Sequence, residues 1–193
     1  MLFNLYPKSC QLARTALLAV ALVGALMLTA LAVCAQDATA QTSQKEVSQL
    51  LEQSKAAAAQ LEHDALLLES FTRGHLSWQS HAGQLARIKE NINSMGEDAR
   101  RLQELRPAAP PWQQQAIDRI IPLLTEMASL TESAIEYLNA EPNKLHTPEY
   151  TEYLKEKAEL AAELSALISD TVKYDRAKAK LTDLEKGLGL TAP

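Results

Sequence analysis

Residues 147–187 read TPEYTEYLKEKAELAAELSALISDTVKYDRAKAKLTDLEKG. Tyr153, Leu160, Leu167, Tyr174, Leu181 and Leu188 recur at strict seven-residue steps. Leu154, Ala161 and Ile168 run beside them as a second row, and Leu164 fills between. A seven-residue apolar repeat is the mark of a helix that lays one stripe against other helices. Thr147 can cap the start, Pro148 tolerates the first helical position, and Glu149 suits the positive end of the helix dipole. The stretch therefore predicts one long helix over 148–186, with Lys186-Gly187 as its stop.

Working outward, no segment alternates with the period of a strand, and Ala, Leu, Glu, Gln, Lys and Arg dominate. Glycine and proline divide the rest into three more helices. One is expected over 43–72. It opens at the capping-box pattern Ser43-Gln-Lys-Glu46 and closes at Arg73-Gly74. Its apolar face is Val47, Leu50, Leu51, Ala58, Leu61 and Leu68. A second is expected over 76–106, with Trp78, Leu85, Ile92, Met95 and Leu102 on one face and Pro107, Pro110 and Pro111 as the break. A third is expected over 111–140, with a kink at Pro122. Four long helices with short connections favour antiparallel neighbours. The expected fold is all-α: an up-down-up-down antiparallel four-helix bundle over 43–190, preceded by a signal peptide. The competing architecture is a helical hairpin that completes its core as a homodimer.

The leader reading rests on residues 1–35. Lys8 and Arg14 precede an uncharged apolar run, and Val33-Cys34-Ala35 offers small residues for cleavage. An uncleaved anchor over 15–35 is the alternative, since about 20 apolar residues can span a bilayer. Residues 36–42 read as a flexible linker. Both cysteines, Cys10 and Cys34, lie in the leader, so the mature chain would carry no disulfide, no cysteine metal site and no Cys-x-x-Cys-His. Loss of Lys8 and Arg14 from 19 basic residues leaves 17 against 24 acidic ones, a net charge of −7. Such a domain has no basic face for nucleic acid, and after cleavage no reason to bind a membrane. The expected location is periplasmic or secreted.

Two Trp-Gln-x-x-Ala stretches, at Trp78 and Trp112, stand 34 residues apart. That equals the tetratricopeptide period, but no third copy or Leu-Gly pattern follows. Each Trp opens a central helix, so the pair reads as two plugs at opposite ends of the core. The Trp78 end also collects His75, His81, Tyr137, His146, Tyr150 and Tyr153. This set is the candidate ligand site, with a small molecule, haem or a metal as possible occupants. No Glu-x-x-His or His-Glu-x-x-His occurs, and Glu62-His63-Asp64 reads as a solvated face. No cofactor is assigned, and no nucleophile motif argues for an enzyme.

A leader plus four long helices resembles small exported helical proteins of bacteria. The plan is also similar to the ligand-binding bundles of membrane sensors and to the c′-type cytochromes, whose haem-attachment motif is missing. It resembles the helical periplasmic stress chaperones as well, but Leu124-Thr125-Glu126-Met127-Ala128 departs from their Leu-Thr-x-x-Gln pattern. These resemblances carry no site residue over. The expected function is a non-enzymatic binding or interaction module with a protein or envelope partner. The alternatives are the ligand site just named and a self-associating coiled coil.

Overall fold

The computed structural model describes the backbone of residues 11–74 and 76–190, and the side chains of 41–74 and 76–190. Among these residues the protein is all-helical. The helices are α1 (Gln11–Arg73), α2 (Trp78–Leu105), α3 (Pro111–Ala140) and α4 (Pro148–Gly187), with a 3-10 turn at Arg106–Ala108. The chain divides into two compact units, 1–42 and 43–193. The first carries the leading part of α1. Its side chains lie outside the described residues, and so do those of the apolar run 15–35, Cys10 and Cys34. Among the residues whose side chains are described, 41–74 and 76–190, no helix is long and apolar enough to cross a membrane.

The second unit holds one core drawn from all four helices, including Leu51, Leu61, Ile88, Ile117, Met127, Leu154 and Leu164. Polar links show the order. Between α1 and α2, Glu46 meets Arg101, Ser54 meets Asp98, the Ala57 carbonyl accepts from Asn91, and Asp64 accepts from Gln84. Numbers rise on one helix as they fall on the other, so the pair is antiparallel. Tyr137 against Tyr150 and Trp112 against Tyr174 give α3 and α4 the same relation. Arg106 grips Asp118 through two hydrogen bonds of 2.6 and 2.7 Å across the proline-rich α2–α3 connection. These bonds hold the Asp118 carboxyl below its ordinary range.

Three expectations are corrected. Helix 1 does not begin at Ser43, because α1 is already helical over 36–42 and Ser43 is an interior position rather than a cap. The expected linker is therefore helix. Asp64 is not on a solvated face: it is 2% exposed, since its carboxylate is held by Gln84 and Arg87 of α2 at 3.0 and 3.1 Å. Of the two α4 rows, the one through Leu154, Ala161 and Ile168 is buried together with Leu164, as its spacing predicts, but the row through Tyr153, Leu160 and Leu167 is not the buried seam. The helix buries Tyr150, Leu154, Lys157, Ala161, Leu164 and Ile168, and the row from Tyr153 to Leu188 lies along the flank. The buried face is instead the neighbouring stripe, in which the row Leu154, Ala161 and Ile168 alternates with Tyr150, Lys157 and Leu164 at the same seven-residue step, so the helix is turned by about one position from the orientation that would bury Tyr153 and Leu160.

Candidate functional site

The residues singled out at the Trp78 end are placed by caps. Ser77 caps α2 by accepting from the Ser80 N–H, which fixes Trp78 as the first helical residue. The Trp78 indole then donates to the Leu138 carbonyl at 3.0 Å and ties the start of α2 to the end of α3. Thr147 caps α4, and its hydroxyl also pairs with the Tyr137 hydroxyl at 2.6 Å. One turn into α2, His81 points into the core. Its Nδ1 lies 3.1 Å from the Tyr150 hydroxyl.

Aromatic rings fill the space around this bond. Phe71 of α1 meets His81 edge-on at 5.5 Å. Tyr137 of α3 stacks on Tyr150 at 5.2 Å and takes Tyr153 on its edge at 6.2 Å. His81 and Tyr150 are both 0% exposed. All four helices thus contribute a ring to one clasp. Burial, then the charge of nearby His146, lowers the His81 pKa from 6.5, and burial raises that of Tyr150. Both groups are therefore neutral at neutral pH. His81 Nε2 is buried with no partner among the described residues.

Of the seven residues named from the sequence, the structure brings Trp78, His81, Tyr137, Tyr150 and Tyr153 together. His146 sits exposed on the loop before α4, near enough for its charge to act on His81. His75 lies outside the described residues. Among the described residues no group of three or more His, Cys, Asp or Glu could hold a metal ion.

Sequence reasoning missed Phe71, Gln113 and Lys157. Gln113 is fully buried and its amide donates to the Gln44 carbonyl and the Ser48 hydroxyl, both at 3.1 Å. Lys157 is 0% exposed, and its Nζ has no partner among the described residues. Burial lowers its pKa from 10.5 to about 7. Its place seven residues after Tyr150, between Leu154 and Ala161, was the available signal, because that spacing returns to the same helix face.

The open concavities lie away from the clasp. A groove of about 430 Å³ between α3 and α4 is lined by Trp112, Arg119, Glu163, Leu167, Asp170 and Tyr174, with polar and apolar walls in about equal share. A larger one, about 520 Å³, runs between α2 and α3 and is lined by Ile92, Gly96, Ala99, Ile121, Leu124 and Ala128 among others. Its floor exists because three of these residues are small. A methyl group added at Gly96 would meet nothing within 4 Å. Comparison with protein families, curated proteins and solved structures found no match.

Proposed function

We infer that the chain is exported, loses residues 1–35, and folds as an up-down-up-down antiparallel four-helix bundle that serves as a non-enzymatic binding module of the cell envelope. The observation that carries this reading is the apolar α2–α3 groove. A trough of this size, floored by Gly96, Ala99 and Ala128 and walled by Ile92, Ile121 and Leu124, suits an apolar helix face or a side chain of a partner protein. Arg100, Gln103 and Glu104 form a polar rim, the usual surround of a protein contact.

Two substitutions at one residue test it. Gly96→Ala removes the glycine penalty in a helix interior and meets open space, so it should stabilise the protein by about 1 kcal/mol and leave binding intact. Gly96→Trp should fold equally well and fill the groove. A photoreactive residue at the exposed rim position Gln103 should capture a discrete partner in producing cells. Capture should vanish in the Gly96→Trp background and be absent from a control at Glu156. Capture that is indifferent to Gly96→Trp would sink the reading. Export is checked separately, by the amino-terminal residue of the released protein, expected to be Gln36.

A further inference from the structure

α4 outlasts the core it helps to build. Val172 is its last buried residue, yet the helix runs on to Gly187. The overhang spans about 22 Å at the helical rise. Arg176 pairs with Glu52 of α1, which ties its first turn down. Tyr174, 53% exposed, still meets Trp112 of α3 at 5.1 Å, but beyond Arg176, Leu181 is 57% exposed, Leu184 55% and Leu188 71%. With Tyr174 at position a of a heptad, Leu181 and Leu188 also fall at a, and Ala177 and Leu184 fall at d. This is a coiled-coil seam left open to solvent.

We propose that this segment pairs antiparallel with the same segment of a second copy, giving a two-fold symmetric dimer. An a/d seam of one sequence is complementary to itself, and a two-fold axis closes the assembly. The flanking charges choose the direction. Side by side in parallel, Lys180 would meet Glu185 of the partner subunit, but Lys173 would meet Lys178 of the partner subunit, and the attraction would be offset by repulsion. Antiparallel, Leu181 faces the partner's Leu184 on both sides of the axis, and Ala177 faces the partner's Leu188. Lys178 then meets the partner's Glu185, twice, with no like charges opposed. In the monomer the Lys178 Nζ lies 5.6 Å from the Trp112 ring centre, a cation–π contact without a carboxylate, which pairing with the partner's Glu185 would replace. Lys173 is already engaged with Asp170 at 2.9 Å.

The seam is short and buries less than the roughly 1,200 Å² of a standard stable interface, so the dimer forms in the micromolar range. It is independent of the α2–α3 groove, and Gly96→Trp should leave it intact.

Sedimentation velocity on the released protein at low salt, from about 1 to several hundred micromolar, tests the pairing. The wild type should pass from monomer to dimer. Leu184→Asp and Lys178→Glu should each hold it monomeric, with an unchanged melting temperature because both residues are exposed. Lys178→Glu combined with Glu185→Lys should restore the dimer. If Leu184→Asp lowers the melting temperature, the charge pair alone decides. A monomer at every concentration, a dimer that survives Lys178→Glu, or rescue by Lys180→Glu with Glu185→Lys in place of the Lys178 pair would each overturn the proposal.

Discussion

Lys157→Met is expected to raise the stability of the protein by several kcal/mol at and below neutral pH, and by almost nothing above about pH 10.5. Lys157 is fully buried, its ammonium has no partner among the described residues, and burial alone lowers its pKa from 10.5 to about 7. The unfolded chain keeps the proton up to about pH 10.5, while the folded chain sheds it from about pH 7. Between these values the unfolded state binds more protons, so stability rises with pH. The penalty is complete below about pH 7 and is relieved as pH climbs toward 10.5. A gap of this size corresponds to on the order of 4–5 kcal/mol. Folded domains keep only about 5–15 kcal/mol in total, so this one side chain weighs heavily. Methionine preserves the length and flexibility of the stem without the charge. Urea unfolding from pH 7.5 to 10, above the range in which His81 acts, should show the rise in the wild type and a flat line in Lys157→Met, with the melting temperature near neutrality higher by roughly 10 °C. Equal slopes in the two proteins would refute the account.

The second large effect belongs to the ring clasp. Tyr150→Ala should cost about 3–5 kcal/mol, because it removes a fully buried ring that stacks on Tyr137 and supports His81. Tyr150→Phe keeps the ring and deletes the hydroxyl. It leaves both His81 nitrogens without a partner among the described residues and should cost about 1–3 kcal/mol. The clasp also has an acid limit. The His81 pKa is depressed in the folded state by burial and by His146, so its neutral form is stable above pH 6.5. Stability is lost as pH falls from 6.5 toward the depressed value, where the unfolded chain takes up a proton that the folded chain refuses. His81→Leu should remove that limb. Thermal melts from pH 7 to 4 read both effects, and a Tyr150→Phe protein as unstable as Tyr150→Ala would show that the hydroxyl, not the ring, holds the helices.

Most of the helical layout was readable because its signals are local. Pro111, Glu141-Pro142 and Thr147-Pro148 stop and start helices through backbone geometry that needs no partner, and α3 and α4 fall where those residues put them. The face of α1 through Leu51, Ala58, Leu61 and Leu68 was legible from its spacing. The start of α1 was not. Ser43 has the chemistry of a cap, but the chain before it is itself helical, and a capping box has no effect inside a continuing helix. The aromatic end was legible in outline, since antiparallel order brings Trp78, Tyr137 and Tyr150 to one place. Its contents were not, because Phe71 reads as an ordinary apolar residue near a helix end and Lys157 as one of many surface lysines.

The sequence by itself determined that this protein is all-helical, where α2, α3 and α4 break, and which rings share an end. Those outcomes follow from proline, glycine and cap chemistry, and from a period that any helix must obey. Only the tertiary structure decided which residues on each face lose their water. It sank Lys157, Asp64 and His81 into the core, buried the α4 row through Leu154, Ala161 and Ile168 rather than the one through Tyr153 and Leu160, and left the last turns of the latter in solvent. The physical reason is that burial is a property of neighbours. A helix sets the angle between its side chains, but the number and placement of the helices around it decide how wide an arc is covered and where that cover ends.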